Sequence, residues 1–261
     1  MVDAKKEIEQ LTEELLEHNR KYYEEDNPSI SDYEYDMLLR KLMKLEEEYP
    51  EYKKEYSPTD RVGGKALDGF EKVKHEYKQL SLANAFSFDE LLEFDNRVKK
   101  EIENPVYTLE NKFDGLTIVL TYENGILKTG ATRGDGEVGE DVTLNVKTIK
   151  TIPLKLNKDV NLTVRGEVLI YKDNFEKINK QREKDGESLF ANPRNMAAGS
   201  IRQLDSKVAA KRDLDCFIFN LEHIDGVELL SHSESLDYLK SLGFKVSEYK
   251  KFNNINEIFK A

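Results

Sequence analysis

The run Tyr107-Thr108-Leu109-Glu110-Asn111-Lys112-Phe113-Asp114-Gly115-Leu116 contains the pattern that decides how this chain is organised. A strand-like stretch ends just before Lys112, Asp114-Gly115 is typical of a turn, and a second apolar stretch follows over residues 116–122. A lysine amine held at such a turn, with a carboxylate two residues later, can attack an activated phosphate and form a covalent lysyl-nucleotide. Lys-x-Asp-Gly alone occurs by chance in roughly 5% of chains this long, so its meaning depends on the rest of the sequence.

The surrounding sequence predicts strands joined mainly by hairpins, with helices between them. Glu123-Asn124-Gly125 is a strong two-residue turn signal. Helices are expected to begin at Ser87 and at Asp173, the second capped with the help of Glu176. A third helix is expected over residues 233–242, closed by Gly243. The predicted strands span residues 117–122, 126–132, 162–171, 215–222 and 227–230, the last two flanking Asp225-Gly226. This mixture indicates an α+β fold with a mostly antiparallel sheet.

The first sixty residues have a different, helical character. Residues 3–25 show apolar side chains at helical spacing, and Ser31 with Glu34 predicts a capping box for a second helix to about Tyr49. Val62-Gly63-Gly64 has the composition of a hinge. We therefore expect a small helical domain over residues 1–69 and a second domain over residues 70–261. The charged clusters at the end of the second helix, Glu46-Glu47-Glu48 and Lys53-Lys54, are expected to form solvated faces.

Composition restricts the classes of function. The chain has 261 residues, 38% of them hydrophobic, and a net charge of −11. Residues 1–60 hold 18 of its 51 acidic and 9 of its 40 basic residues, so most of the excess negative charge lies in this segment. This balance argues against tight nucleic-acid binding over the whole surface, although a local basic groove remains compatible with it. The single cysteine, Cys216, excludes an internal disulfide or a cysteine-rich zinc site, and the four scattered histidines show no metal-binding spacing. No apolar run approaches the ~18 residues of a membrane span, and we expect a protein of the reducing cytoplasm.

Four later motifs place charged residues beside glycine, alanine or proline at the ends of predicted elements. Arginine suits phosphate because its planar guanidinium can bond two oxygens at once. Three ordinary interpretations stay open: a solvated turn around Arg133, an ion pair between Arg165 and Glu167, and core packing for Phe217 or Phe219. The motifs are Thr132-Arg133-Gly134-Asp135-Gly136, Val164-Arg165-Gly166-Glu167-Val168, Phe190-Ala191-Asn192-Pro193-Arg194-Asn195 and Ala198-Gly199-Ser200-Ile201-Arg202-Gln203-Leu204.

In order and spacing, these motifs resemble the N-terminal part of bacterial NAD-dependent DNA ligases throughout residues 70–220. The first sixty residues resemble that family's signature helix pair, which grips the nicotinamide mononucleotide half of NAD. ATP-dependent ligases and capping enzymes share only the lysine motif. The sequence departs from the family at Tyr23, where a histidine is frequent. The resemblance implies a helical nicotinamide-binding domain followed by a nucleotidyltransferase domain.

The resemblance also implies roles for particular residues. Lys112, supported by Asp114, would attack the α-phosphorus of NAD and release nicotinamide mononucleotide, with Mg²⁺ neutralising the developing charge. Glu167 would contact ribose or help place a metal. The implied adenine-site residues are Ser81, Leu82, Glu110 and Phe219. The implied phosphate- or DNA-binding residues are Arg133, Arg194 and Arg202. The implied nicotinamide-site residues are Tyr22, Asp32, Tyr35 and Asp36, although core packing of the two tyrosines stays open. The partners would be NAD and nicked double-stranded DNA, as in replication and repair, and the protein would be a monomer.

The family pattern continues further than this sequence does. It includes an Asp-Gly-x-Val-x-Lys strand, whereas the superficially similar Asp225-Gly226-Val227-Glu228-Leu229-Leu230 has Leu230 where lysine is required. We therefore expect the second domain to be incomplete at its C-terminus, and the sequence to be a natural fragment of a ligase, a trimmed piece of one or the product of a degraded gene. The intact lysine motif favours an enzyme, whereas the missing strand favours the alternative of a non-catalytic module that binds NAD or adenylate.

Overall fold

The computed structural model describes residues 4–23, 29–62, 67 and 69–261, excluding the side chains of Tyr22, Tyr23, Asp32 and Val62. The predicted hinge at Val62-Gly63-Gly64 therefore lies almost wholly outside the described residues. Helices α1 (Ala4–Tyr23) and α2 (Asp32–Glu48) pack against each other through a small apolar core. The predicted capping box is confirmed, since the Ser31 hydroxyl accepts from the Glu34 N–H and the Glu34 carboxylate accepts from the Ser31 N–H. The core comprises Ile8, Leu11, Leu15 and Leu42.

The expectation of a solvated face is wrong for Glu46. Its side chain is buried and accepts hydrogen bonds from the hydroxyls of Ser57 (2.5 Å) and Thr59 (2.6 Å). Lys53 Nζ lies 3.6 Å from the same carboxylate and 2.8 Å from that of Asp60. Helix α2 is thus tied to the segment that contains the two 3₁₀ turns, Pro50–Tyr52 and Pro58–Val62. Burial of a charge is tolerated here because hydroxyl donors and a cation compensate it.

The rest of the chain is built on antiparallel strands, which confirms the predicted α+β class. A four-stranded sheet has the order β4-β3-β6-β7, and two ribbons, β1–β5 and β2–β8, lie outside it. The strands are β1 (Lys72–Lys74), β2 (Tyr107–Glu110), β3 (Leu116–Glu123), β4 (Ile126–Thr132), β5 (Val138–Glu140), β6 (Leu162–Leu169), β7 (Asp215–Ile224) and β8 (Tyr249–Phe252). The helices are α3 (Phe88–Val98), α4 (Thr143–Val146), α5 (Lys172–Lys184), α6 (Pro193–Ile201), α7 (Ser206–Ala210), α8 (His232–Ser241) and α9 (Ile255–Lys260).

The two faces of the sheet have opposite character because side chains alternate along each strand. One face is buried in the main core, with Ile118, Leu120, Val164, Val168 and Ile218 among its members. The other face carries the polar and aromatic residues Thr117, Arg165, Glu167, Phe217 and Phe219. Strand pairing sets Glu167 opposite both Thr117 and Phe217, so these three side chains form one row across the sheet. This second face holds the candidate site.

The hairpin between β3 and β4 is confirmed. Asn124 (φ 49°) and Gly125 (φ 75°) both adopt the left-handed conformation that this two-residue turn requires. The second predicted hairpin is wrong, because residues 227–230 form no strand. Instead, the Leu230 N–H donates to Glu234 (2.8 Å) at the start of α8, so the segment leads into the helix.

Two helix starts also differ from prediction. Helix α8 begins at His232, one residue before its predicted start, and is capped by Ser231. Helix α5 begins at Lys172 without a side-chain cap, so the predicted box from Asp173 is wrong. The residue at its N-cap position, Tyr171, donates its hydroxyl to Asp215 at 2.6 Å.

The helical segment is attached to the sheet by charged contacts. The Arg61 guanidinium donates to the carbonyl oxygens of Ile149 (2.7 Å) and Ile152 (3.0 Å). Three ion pairs cross the same boundary, namely Glu13–Lys155 (2.9 Å), Glu55–Lys128 (2.5 Å) and Asp60–Lys147 (3.0 Å). The arginine is the firmest of these attachments because charged hydrogen bonds to backbone carbonyls exceed exposed ion pairs in strength.

Candidate active site

Lys112 lies on an exposed connection between β2 and β3, as the sequence predicts. Its Nζ donates to the Phe113 carbonyl at 3.3 Å, and no carboxylate among the described residues lies within ion-pair distance of it. The Phe113 ring stacks on Phe217 with centroids 4.2 Å apart and an interplanar angle of 21°. Phe113 therefore anchors the backbone next to Lys112 to the polar face of the sheet, while the lysine side chain projects from it.

The turn after Lys112 is tied to β6 by Glu167. This carboxylate is 7% exposed and accepts from the Gly115 N–H (3.1 Å) and the Thr117 hydroxyl (2.7 Å). Gly115 is needed because a Cβ there would lie 2.0 Å from the Val168 carbonyl oxygen. Both carboxylate oxygens of Glu167 thus have protein partners, so its observed contacts position the lysine turn.

Beside the turn lies a cleft of about 520 Å³ with four cationic side chains on its walls. Gly115 and Thr117 also line it, which places the lysine turn at its edge. The cations are Lys72, Arg133, Arg194 and Arg202. Arg194 lies 3.4 Å from Asp114, and both side chains are largely exposed. Arg202 makes a two-point ion pair with Glu140, at 2.8 and 3.0 Å. The arrangement suits an anionic ligand with several oxygens.

Arg133 begins a tight turn that ends in β5. Gly134 (φ 57°) and Gly136 (φ 97°) both need left-handed backbone, which agrees with the turn interpretation. The Asp135 carboxylate accepts from the N–H groups of Val138 and Glu137, both at 2.8 Å, and these bonds lower its pKa. The turn is therefore structured by Asp135, while Arg133 lines the cleft.

Arg165 connects three parts of the site, and it does not form the ion pair with Glu167 that the sequence left open. Its guanidinium donates to the Leu80 carbonyl (2.7 Å), lies 2.9 Å from Glu222 and sits over the Phe219 ring at 5.4 Å. Glu167 points instead to the lysine turn. Arg165 thereby brings the loop that contains Ser81 and Leu82, both exposed, close to Phe219. Leu82 is 70% exposed, so this loop offers an uncovered apolar surface.

Glu110 lies at the end of β2, two residues before Lys112. Its Oε1 lies 2.8 Å from Nε2 of His232 at the start of α8. Phe217 is occupied by its stack with Phe113, so packing accounts for one of the two β7 phenylalanines. Phe219 keeps its place beside Arg165 and the Leu80 loop, where a planar ligand could stack.

The four candidate nicotinamide residues lie on helices α1 and α2. The side chains of Tyr22 and Asp32 lie outside the described residues. Tyr35 is half-buried and packs against the core between α1 and α2, whereas Asp36 is exposed on α2. Core packing of Tyr35 is therefore part of its role, and its part in ligand binding stays a prediction.

Several site residues had no signal in the sequence. Lys72 lines the cleft, Glu140 pairs with Arg202, and His75 Nε2 lies 3.1 Å from both the Thr132 and Arg133 carbonyl oxygens. Glu140 and His75 meet their partners across 62 and about 57 residues of sequence. Local sequence patterns could therefore not reveal these contacts. Among the described ranges, no three His, Cys, Asp or Glu side chains gather as they would for a metal ion.

Comparisons with known proteins agree with this architecture. Residues 67–261 match the family model described as the NAD-dependent DNA ligase adenylation domain. Residues 1–63 match the DNA ligase-like, N-terminal NAD+-binding domain. The chain therefore belongs to the NAD-dependent DNA ligase adenylation-domain family. Helices of the described part include none whose length and apolar content would let it cross a bilayer.

The chain is also similar to proteins named DNA ligase from several bacteria. It is 55% identical to that of Clostridioides difficile (strain 630) over 259 residues, which are 98% of this chain and 38% of the relative. It is 56% identical to that of Thermoanaerobacter sp. (strain X514) over 260 residues, 99% of this chain and 39% of the relative. The DNA ligase of Brevibacillus brevis is 50% identical over 258 residues, 98% and 38% respectively. The chain thus spans about two fifths of these relatives.

Proposed function

We propose that this chain is the adenylation portion of an NAD-dependent DNA ligase and that Lys112 carries the AMP. The neutral Lys112 amine attacks the α-phosphorus of NAD. A nitrogen–phosphorus bond forms as the pyrophosphate phosphorus–oxygen bond breaks, the amine loses a proton, and nicotinamide mononucleotide leaves with the bonding electrons. The observation that carries the proposal is the attachment of the Lys112 turn, through Phe113 and Gly115, at the edge of a cleft with four cations.

The groups around Lys112 divide into three sets in this proposal. Glu110, the Ser81-Leu82 loop and Phe219 bind adenine, with Phe219 stacking on the base. Arg133, Arg194 and Arg202 bind phosphate during adenylation and the broken strand of nicked DNA during sealing. Asp114 holds Arg194 near the lysine. For Glu167 we favour a role in positioning the turn over contact with ribose or metal, because each of its oxygens accepts from a group beside the lysine, Gly115 or Thr117.

The helical segment selects NAD as the donor. Tyr22 and Tyr35 enclose the nicotinamide ring, and Asp32 and Asp36 bond its ribose or amide and meet its positive charge. We assign residues 1–69 to this domain and residues 70–261 to the nucleotidyltransferase domain. The protein would act as a monomer in the cytoplasm.

A magnesium ion would assist by neutralising phosphate charge when bound. The described residues form no dedicated cage of ligands for it. Mg²⁺ is often held by one or two carboxylates together with substrate phosphates. The ion would therefore enter with the nucleotide.

The test uses a chimera in which this chain replaces the matching part of the Clostridioides difficile relative. Incubation with NAD and Mg²⁺ should add the mass of one AMP, and ATP should not replace NAD. Deleting residues 1–60 should abolish adenylation by NAD while sealing of DNA that is already adenylated continues. The alternative, a non-catalytic adenylate-binding module, predicts nucleotide binding without a covalent adduct. Equal adenylation by ATP would count against the proposed role of the helical domain.

The proposed stacking of Tyr35 on the nicotinamide ring is tested in the same chimera. Each aromatic stack contributes about 0.5–1.5 kcal/mol, so Tyr35→Ala should raise the apparent Michaelis constant for NAD about threefold to tenfold. Sealing of pre-adenylated DNA should change little. Unfolding of the helical segment by circular dichroism would show instead that Tyr35 acts only in the core.

A further inference from the structure

The contact between Glu110 and His232 joins the strand that precedes Lys112 to a separate helix. His232 Nε2 lies 2.8 Å from Glu110 Oε1, and the two side chains are 37% and 18% exposed. Since a carboxylate accepts, the Nε2 atom must carry the proton that is donated. The other oxygen, Oε2, has no hydrogen-bond partner within the described part of the chain. Glu110 therefore holds one fixed oxygen and one that is available to a ligand.

Helix α8 provides a firm base for this histidine. The Ser231 hydroxyl accepts from the Glu234 N–H (3.2 Å), and Leu236 and Leu239 are fully buried beneath the helix. A capped, buried helix restricts the position of its first residue. His232 consequently presents its ring from a place set by the core of the protein.

A second contact attaches the same helix to the same ribbon. The Tyr249 hydroxyl donates to Asp237 on α8 at 2.9 Å, and Tyr249 is the β8 partner of Glu110 in the β2–β8 ribbon. That ribbon pairs with no strand of the four-stranded sheet, whereas α8 contacts β7, the strand that carries Phe219. Helix α8 thus sets the position of Glu110 relative to Phe219.

We propose that His232 is a positioning residue that makes Glu110 selective for the base of the nucleotide. This inference rests on the proposed function, in which Glu110 and Phe219 bind adenine. With Oε1 held by His232, Oε2 accepts the exocyclic amine of adenine. Hypoxanthine carries a carbonyl oxygen at that position, which would face a fixed carboxylate oxygen without a proton between them. His232 therefore favours a purine with an amine over one with a carbonyl.

An ordinary surface ion pair would make a different prediction, since exposed pairs contribute about 0–1 kcal/mol to stability and nothing to base selection. The chain contains a matched control in His223 and Asp225. Their Nε2–Oδ1 distance is also 2.8 Å, with side-chain exposures of 42% and 58%. His223→Ala removes a comparable ion pair near the C-terminal end of β7, and with it the stack of the His223 ring on Tyr77 at 5.3 Å.

The experiment titrates the chain with AMP and with inosine monophosphate, up to millimolar concentrations, following binding by NMR. The wild type should prefer AMP by about tenfold or more, because a lost hydrogen bond to a charged group is worth at least that factor. His232→Ala should reduce this preference to about threefold or less. The loss should come mainly from weaker binding of AMP, because the Glu110 side chain must then be ordered when AMP binds. His232→Gln, which can still donate an N–H, should recover most of the preference. His223→Ala should leave it unchanged.

Several results would overturn the inference. Equal weakening of both nucleotides in His232→Ala would indicate a purely structural role, and a lost preference in His223→Ala would show that the effect is unspecific. Glu110→Gln tests the adenine role of Glu110 separately from the role of His232. Its amide can donate to a carbonyl, so the variant should shift the preference toward inosine monophosphate. If the wild type shows no preference between the two nucleotides and Glu110→Gln binds both as the wild type does, the adenine role of Glu110 is refuted. The positioning role of His232 is then refuted with it. Covalent chemistry at Lys112 is tested independently by mass.

Discussion

Replacing Glu167 tests how the lysine turn is held. In Glu167→Ala the Gly115 N–H loses its acceptor, and an unsatisfied buried donor costs about 1–3 kcal/mol. The Thr117 hydroxyl also loses its acceptor, which adds about 1 kcal/mol. The free energy of unfolding should therefore fall by roughly 2–4 kcal/mol. In Glu167→Gln the amide oxygen can still accept from Gly115, and the amide N–H can donate to Thr117, whose hydroxyl can reverse, so the loss should be about 1 kcal/mol.

Urea unfolding gives these differences as shifts of the midpoint at constant slope. Hydrogen exchange at the Gly115 amide gives the local result, with protection lost in Glu167→Ala and retained in Glu167→Gln. Thr117→Val, which replaces the hydroxyl with a methyl group of similar size, should lower the free energy of unfolding by about 1 kcal/mol and serves as the control. In the chimera, Glu167→Gln should keep adduct formation within about tenfold of wild type if the residue positions the turn. A Gln variant as damaged as the Ala variant would refute this reasoning and favour a charged contact with ribose or metal.

Three further predictions concern the fold around the site. Gly115→Ala should lower the free energy of unfolding by about 1–3 kcal/mol because its Cβ meets backbone, whereas Gly69→Ala, with open space around it, should stay within about 0.5 kcal/mol in the same urea assay. Arg61→Ala should lower the free energy of unfolding by roughly 1.5–3 kcal/mol. Arg61→Lys should recover less than half of this loss, because lysine lacks the planar guanidinium that bonds both carbonyls. Equal stability of Arg61→Lys and the wild type would contradict this prediction. Burial and a hydrogen bond to Asp95 raise the pKa of Tyr107 to about 12, so the stability that this hydroxyl provides is complete below pH 10 and lost as the pH rises through 12. The destabilisation caused by Tyr107→Phe should accordingly shrink over that window, and a constant difference would count against it.

Local sequence signals predicted the parts of the fold that depend on local physics. The Ser31 and Ser87 helix starts were predictable because an N-cap hydroxyl meets the N–H three residues on. The Asn124-Gly125 hairpin was predictable because few residues tolerate left-handed backbone. The position of Lys112 between two strands followed from the same kind of signal.

The failures share a different cause, which is competition for distant partners. Arg165 pairs with Glu222 rather than Glu167 because β6 and β7 are neighbours and the lysine turn takes Glu167. Glu46 is buried because hydroxyls from the following segment reach it. Residues 227–230 carry a strand-like pattern, yet they lead into the cap of α8. Partners set by tertiary structure leave no local trace in the sequence.

The central claim is that Lys112 is the nucleophile, and intact mass measurement after incubation with NAD and Mg²⁺ tests it most directly. The chimera should gain the mass of one AMP, and peptide analysis should place it on Lys112. Lys112→Ala should show no adduct, while Lys100→Ala, an exposed lysine after α3, should be adenylated like the wild type. An adduct that persists in Lys112→Ala would contradict the account.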